Sequence, residues 1–411
     1  MTGDLAAFEN AREALARAPR DHELLYACCA AAGDEAEAEM IALLEQRLKT
    51  LPPGSEIRLH DLHLLARLRE KSARAAAGLH PTNTDAFDDL FFKFARKELA
   101  ALASEASAFL QHNRTSFTAA VLLAEAYVAV GAFAQAEGVF AQLRRASGEN
   151  IASITNFDSA FHAGLSDEAH RSAARLPPVL VSRDLAPDAR QIIFTAADHP
   201  YFERYGWDFV ESFAKHNGPD VWLALHVFDM TAEVRTGMIR RLDAVQGLRW
   251  GLSTEWTGLR DGEGAPAKEY YHAVRYIRFW QLLMDRNASA WIVDTDTIFG
   301  GPVARLFEHL SGKDLALYLA PGRFEVRNKI MALSTGASAT QAARNYLRNV
   351  AGYVGHYQKE GRLFWGIDQV ALFAVLAMIR VVPPLLIAGV PDWICSPIIR
   401  LGQILQPAKP V

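Results

Sequence analysis

The sequence predicts an all-α helical region followed by an α/β domain with a mostly parallel sheet. Three observations predict it. Residues 1–176 are rich in Ala, Leu, Glu and Arg at helical apolar spacing and carry almost no strand pattern. From residue 191 onward, short apolar runs alternate with helical patterns of ten to seventeen residues, the texture of strands joined by helices. Between them, residues 177–190 hold three prolines and no periodicity, which reads as a linker. The expected organisation is a helical domain over 1–176, a linker over 177–190 and an α/β domain over 191–411.

Composition agrees with this division. A chain of 411 residues suits two or three domains of roughly 100–200 residues each. With 50% hydrophobic, 10% aromatic and 22% charged residues it is globular in type, which excludes disordered and fibrous classes. A net charge of −4 argues against a chain that grips a nucleic-acid backbone, because that task needs a dense Lys and Arg surface. The three cysteines, Cys28, Cys29 and Cys395, can form neither a disulfide framework nor a CxxC metal pair, and fit a reducing compartment. The N-terminal MTGDLAAFENAREALARAPR lacks the basic start and apolar core of a signal peptide, so a cytoplasmic location is expected. The longest apolar stretch, Val370 to Val390, is cut by Arg380 and Pro383-Pro384. It reads as a buried helix running into a strand, not a membrane span. Without secretion, the glycosylation acceptor patterns at Asn113 and Asn287 carry no weight.

Within the helical region the clearest segment is TAAVLLAEAYVAVGAFAQAEGVFAQLRRAS. Leu123, Ala124, Tyr127, Ala136 and Phe140 fall at the spacing of the tetratricopeptide repeat, and the segment resembles one full repeat. Large residues on the first helix, a turn at Gly131 and a small Ala136 at the crossing are what an antiparallel helix pair needs. An ordinary α-hairpin needs much the same, so both readings stand. Weaker helix pairs are expected around LLYACCAAAGDEAEAEMIALLEQRL and over Asp85 to His112, with the number of repeats open.

In the α/β region, strands are expected at Gln191–Ala196, Val221–Phe228, Leu248–Leu252, Ala290–Val293, Leu315–Leu319 and Lys329–Leu333. Parallel sheets bind ligands outside the carboxyl ends of their strands, which directs attention to AWIVDTDTIFGGP. There an apolar strand ends in Asp294-Thr295-Asp296. Carboxylates at i and i+2 of an extended segment point to one side, close enough to share a hard cation or to divide ligation from orientation. The pair suits a divalent metal on a diphosphate. A plainer role is a turn before Gly300-Gly301-Pro302, although two acids after an apolar strand are costly to bury without a cationic partner. A phosphatase of the haloacid-dehalogenase type also uses a strand ending in DxD. It needs a further acidic pair, whereas after Asp314 only Asp368 and Asp392 remain, and here several α/β elements precede the motif.

Two further segments bear on the choice. The first strand runs QIIFTAADHPYFERYGWDFVESFAKHN, and a later helix begins FWGIDQVALFAVL. With YYHAVRYIRFWQLL ahead of the DTD, they resemble, in order, the GT-A glycosyltransferases, most nearly the retaining family that includes glycogenin and bacterial galactosyltransferases, along with tetratricopeptide-linked bacterial relatives. The resemblance covers about residues 190–385. It implies a Rossmann-like GT-A domain, a nucleotide-sugar donor, UDP-linked by preference, a Mn2+ or Mg2+ ion, and retention of anomeric configuration. Ala196, Ala197, Asp198 and Tyr201 match the loop that holds base and ribose in the family; a strand-to-helix turn is the plainer role of Asp-His-Pro. Arg275 matches the helix Arg near the sugar-nucleotide, with Arg278 one turn further as the alternative, and either can instead be a solvated helix charge. Asp294 and Asp296 match the metal pair, with Thr295 between them on the nucleotide-sugar. Asp368 and Gln369 match the segment beside the anomeric carbon, where a polar group can hold the sugar and face the developing oxocarbenium charge, so with Arg275 they are the catalytic residues the resemblance implies; a plain helix N-terminus is their alternative.

The sequence also departs from the family. Retaining members supply a third metal ligand from a His near the C-terminus, and this chain has no His after His356. The C-terminal PDWICSPIIRLGQILQPAKPV offers no evident substitute beyond Asp392, and RNKIMALST keeps Ala332 but lacks the Gly of the family's Asn-Ala-Gly-like stretch. His60 and His63 read as surface residues, and His226 as a satisfied sheet residue. The helical region is expected to position a protein or peptide acceptor. A rival expectation is a scaffold whose GT-A domain has lost turnover.

Overall fold

The computed structural model describes residues 10, 13–14, 37–52, 58–59, 61–62, 65, 101–112, 117–147, 154–218, 220–259, 267–319, 330–379, 385–389 and 399–401. The chain forms two compact units, Met1–Asp158 and Ser159–Val411. Cys28, Cys29, His60, His63, Asp392 and Cys395 lie outside the described residues, as do residues 327–329 of RNKIMALST.

The described part of the first unit is mostly helical. It contains α1 (Glu37–Thr50), a helical segment at 101–112, α2 (Phe117–Ala129) and α3 (Phe133–Ser147). α1 buries Met40 and Leu44, and its Arg47 pairs at 2.8 Å with the fully buried Asp61, so that acid is not left uncompensated. Gly131 reverses the chain between α2 and α3 at φ 77°, a conformation that side-chain-bearing residues avoid. Leu123, Ala124, Ala136 and Phe140 are buried in this hairpin, while Tyr127 is half-buried. Of the two weaker helix pairs expected, the described parts, 37–48 and 101–112, are helical.

The second unit begins with α4 (Ser159–Ala163) and α5 (Leu165–Arg175) and then alternates strands with helices. In order these are β1 (Leu180–Arg183), β2 (Gln191–Asp198), α6 (His199–Tyr201), a π-helical turn at Phe202–Gly206, α7 (Trp207–His216), β3 (Val221–Phe228), α8 (Ala232–Asp243) and β4 (Trp250–Glu255). There follow α9 (Ala267–Asp285), β5 (Ser289–Val293), β6 (Thr297–Phe299), α10 (Ala304–Leu310), β7 (Leu315–Leu319) and β8 (Ile330–Ala337). α11 (Gln341–Lys359), α12 (Ile367–Ile379), β9 (Ile387–Gly389) and β10 (Ile399–Leu401) complete the described elements.

Eight strands form one sheet in the order β1-β4-β3-β2-β5-β8-β7-β9. β4, β3, β2 and β5 run parallel, so their carboxyl ends share one edge; β1 and β8 are antiparallel to their neighbours. The sheet is mixed, with its parallel part at the centre. β10 pairs antiparallel with β6 and places residues 399–401 beside Thr297–Phe299. The apolar strands β2, β3 and β5 bury Ile193, Leu223, Leu225, Val227, Trp291 and Val293 against Phe209, Val210 and Phe213 of α7. Val370 to Leu376 are mostly buried on α12, and among the described residues no helix is long and apolar enough to cross a membrane.

The division between units falls between Asp158 and Ser159, ahead of the position expected from composition. α5 belongs with the sheet, because it packs on α11 so closely that a methyl on Gly352 would overlap the Leu165 carbonyl and one on Gly355 the Ser172 hydroxyl. A helix pattern shows that a face is apolar, not which core receives it. The expected linker, 177–190, contains a strand. Leu180–Arg183 adds an antiparallel edge strand to β4, with Leu180 opposite Thr254, and four residues flanked by prolines are too few to display a strand period.

Candidate active site

The carboxyl edge of the parallel strands gathers acids from separate elements. Asp198 ends β2, Asp229 follows β3, Glu255 ends β4 and Asp294 follows β5. Polar residues can occupy this edge because the strands' last carbonyls lead into turns and helix starts, which supply N–H donors.

Asp294 and Asp296 do not lie on one extended strand. The Thr297 amide donates to the Asp294 carbonyl at 3.1 Å and closes a turn, while the Asp294 amide donates to Leu333 of β8 at 3.2 Å. The turn turns Thr295 inward, where its hydroxyl lies 2.7 Å from that of Thr195 on β2. Thr295 is thus buried against β2, and its side chain braces the turn.

Arg275 of α9 is buried and lies between two carboxylates. One terminal nitrogen donates to Asp294, and the other donates to Asp368 at 2.9 Å and to the Ala332 carbonyl at 3.3 Å. Burial alone would lower its pKa, but the Asp294 and Asp368 charges outweigh it and hold the guanidinium protonated. Asp294 is pushed up to about 6, chiefly by burial, with Asp296 and Asp368 adding to the effect and Arg275 opposing it. One cation thus serves two carboxylates, with Asp296 a further negative charge beside Asp294. Asp368 uses its second oxygen to accept from the Gln369 amide at 2.9 Å, so both its oxygens are engaged. The Gln369 side-chain oxygen is buried with no hydrogen-bond partner.

On the other side of the turn, the Tyr201 hydroxyl donates to Asp296 at 3.0 Å, and its ring lies 4.8 Å from that of Tyr205. Burial and the Asp296 charge raise the Tyr201 pKa, so the phenol stays protonated. Asp198 caps the following helix, accepting from the Tyr201 amide at 2.8 Å, as expected of Asp before His-Pro. Ala197 is buried in the core and Ala196 half-buried, so of this loop Tyr201 reaches furthest into the site.

Arg278 does not join Arg275. It pairs with Glu255 and donates to the Pro177 carbonyl at 2.7 Å. It is buried, not a solvated helix charge. His226 accompanies that cluster, its Nδ1 2.9 Å from the Ser253 hydroxyl, and burial lowers its pKa.

Two residues near the site escaped the sequence reading. Asp229 adopts φ 52° and accepts from the Thr257 amide and hydroxyl at 2.5 and 2.6 Å and from the Tyr271 hydroxyl at 2.5 Å. It thereby ties the loop after β4 to α9, and its position right after the apolar run of β3 was the available signal. His272 stands one turn before Arg275, and burial, with Arg275 assisting, lowers its pKa to about 4.

The donor set bears on a metal. Asp294 gives one oxygen to Arg275 and Asp296 one to Tyr201, leaving each acid a second oxygen for a hard cation. Among the described residues no three His, Cys, Asp or Glu side chains are grouped to hold an ion by themselves.

No protein-family model matches the chain, and no curated protein sequence does. Solved structures similar to it include the glycosyltransferase GlyE of Streptococcus pneumoniae TIGR4, with 15% identity over 50% of this chain and 46% of that one at TM-score 0.33. Others are the bifunctional glycosyltransferase WbbM, with 12% identity over 47% of this chain and 38% of that one at TM-score 0.32, and mouse xyloside xylosyltransferase 1, with 10% over 49% and 85% at TM-score 0.29. This chain spans less than half the length of GlyE or WbbM. Likenesses this slight carry no inference, and the functional reading rests on the residues of this chain.

Proposed function

We propose that the second unit is a glycosyltransferase that moves a sugar from a nucleoside-diphosphate donor, UDP-linked by preference, to an acceptor. The observation that carries the reading is the bridge of Arg275 between Asp294 and Asp368 at the carboxyl edge of a parallel sheet. It joins three of the segments by which the sequence resembles GT-A enzymes. Two carboxylates on one guanidinium, with Asp296 beside Asp294, leave an excess of negative charge that suits a divalent cation, and a cation suits a diphosphate.

Asp294 and Asp296 would hold Mn2+ or Mg2+, each through its remaining oxygen, with diphosphate and water completing the shell. The ion would neutralise charge developing on the diphosphate as the bond to the anomeric carbon breaks. Arg275, fixed by Asp368, adds a buried positive charge beside the leaving group and needs no reorganisation during the reaction. Asp368 therefore acts as a positioning residue. The unpartnered Gln369 oxygen is suited to accept from a hydroxyl of the donor sugar. By the resemblance, Tyr201 would contact the base and ribose. Retention of configuration is inherited from the resemblance alone. We assign the helical unit the task of holding the molecule that bears the acceptor, and place the protein in the cytoplasm of a bacterium.

A panel of nucleotide-sugars with Mn2+, read by release of nucleotide, tests the reading. Release from one donor, lost in Arg275→Ala, supports it. Binding without release from any donor would instead favour an inactive scaffold, the second reading, which the departure of RNKIMALST from the family's pattern supports.

A further inference from the structure

Trp365 lies in the turn that leads into α12, three residues before Asp368, and is 42% exposed. The turn is fixed by Gly366 at φ 87° and by the Ile367 amide, which donates to the Phe364 carbonyl at 3.1 Å. The indole is held in place by two residues of α9. The Lys268 Nζ lies 4.3 Å from a ring centroid, and the His272 ring meets it edge-on at 4.4 Å and 79°. Lys268 and His272 are four apart and share one helix face. Both therefore support the indole from the α9 side, while part of the residue remains exposed.

This aromatic group is tied to the charged centre through His272 and through the chain to Asp368. His272 is one helical turn from Arg275, and Arg275 bonds to Asp368, which begins the helix that follows Trp365. Among the described residues nothing hydrogen-bonds to the His272 ring, and its low pKa keeps it neutral at pH 7. A neutral imidazole can donate to or accept from a hydroxyl. An anchored, partly exposed indole next to an uncharged hydrogen-bonding group suits a ring with an apolar face and hydroxyls at its edge.

We propose that Trp365 and His272 form a binding subsite for a pyranose ring of the acceptor, so that the acceptor is itself a glycoside. The ring's C–H face would lie on the indole and one of its hydroxyls would meet His272. A nucleobase would also stack on Trp365, but the base is expected at the loop of Tyr201, on the Asp296 side of the site, whereas Trp365 stands on the Asp368 side. The proposal rests on the glycosyltransferase reading for calling the ring an acceptor, but not for its binding.

The test uses the full chain, with lactose and maltose as probes, followed by saturation-transfer NMR, and UDP with Mg2+ measured separately by calorimetry. At least one disaccharide is expected to receive saturation on the C–H protons of a pyranose ring. Trp365→Ala should weaken that binding about tenfold and Trp365→Phe about threefold or less, with UDP binding unchanged in both. Should Trp365→Ala fail to melt cooperatively, Trp365→Gln serves in its place. The proposal is overturned if neither disaccharide binds the wild type, if the Ala variant binds as tightly as the wild type, or if the Ala variant loses UDP. Disaccharide binding that depends on Trp365 in a protein that does not bind UDP with Mg2+ would uphold the subsite and refute the donor reading instead.

Discussion

Arg275 and Asp368, 93 residues apart in sequence, meet at 2.9 Å, and the same guanidinium reaches Asp294 with its other terminal nitrogen. A loop-borne turn, a long helix and the start of another helix thus meet on one buried cation. The arrangement links the stability of the site to its charge.

Removal of the cation should therefore destabilise the fold. Breaking one partner of a buried ion pair costs about 3–5 kcal/mol, so Arg275→Met should lower the melting temperature markedly. The double variant Arg275→Met with Asp368→Leu should recover part of that loss, since it removes one stranded carboxylate. A melt of the single variant equal to that of the wild type would refute the bridge as a structural element.

Binding of a nucleoside diphosphate should require a divalent cation, because Asp294, Asp296 and Asp368 would otherwise repel it. UDP with Mn2+ should raise the melting midpoint, and EDTA should abolish the shift. Asp296→Asn should abolish it too without unfolding the protein. Tyr201→Phe, which removes only the hydroxyl that bonds to Asp296, should leave cation dependence intact. Equal shifts with and without EDTA would exclude the metal bridge.

The unit boundary predicts which fragments fold. One beginning at Ser159 should express in soluble form and melt cooperatively. One beginning at Ala186 lacks α5 and β1, leaves the Gly352 and Gly355 face of α11 uncovered, and should aggregate. Gly352→Ala in the full chain forces α5 and α11 apart and should cost about 1–3 kcal/mol or more. An Ala186 fragment as stable as the Ser159 fragment would show that α5 is dispensable. If the Ser159 fragment also transfers sugar to the natural acceptor as fast as the whole chain, the role assigned to the helical unit fails.

Glu168 on α5 should contribute to acid sensitivity. Burial works to raise its pKa, but hydrogen bonds and charge from Arg175 and Arg171 prevail and bring it down to about 2 from an unperturbed 4.5. A depressed pKa stabilises the fold above the unfolded value, and that contribution disappears as pH falls from 4.5 towards 2. Discounted for the solvent around Arg171, the contribution is roughly 1–3 kcal/mol. Glu168→Gln should be less stable than the wild type at pH 7, with the gap closing over that acid window. A constant gap from pH 7 to pH 2 would exclude this linkage.

The α/β class and most of the strands were legible because each buried strand is a short apolar run bounded by polar turns. Val221–Phe228 and Leu315–Leu319 were expected at the limits at which they occur. Asp294 and Asp296 stood out because carboxylates straight after such a run need a partner, and Asp368 through the order of motifs. The expected geometry of the acid pair did not hold, since the hydrogen bond from Thr297 closes a turn where an extended segment was assumed. The choice between Arg275 and Arg278 could not be read from spacing, because both occupy one face of α9, and only the position of β5 relative to β4 sends one to Asp294 and the other to Glu255.

By itself, then, the sequence determined local periodicity, the apolar runs of the sheet, the breaks at Gly131 and the prolines, and the residue types at the strand ends, all of which depend on near neighbours in the chain. Tertiary structure alone decided that α5 belongs with the sheet, that Leu180–Arg183 is an edge strand, that Thr295 faces Thr195, and that Trp365 leans on Lys268 and His272. Each of these joins residues distant in sequence. Burial and charge compensation, which act between whatever surfaces the fold brings together, select such pairs, and periodicity along the chain carries no record of them.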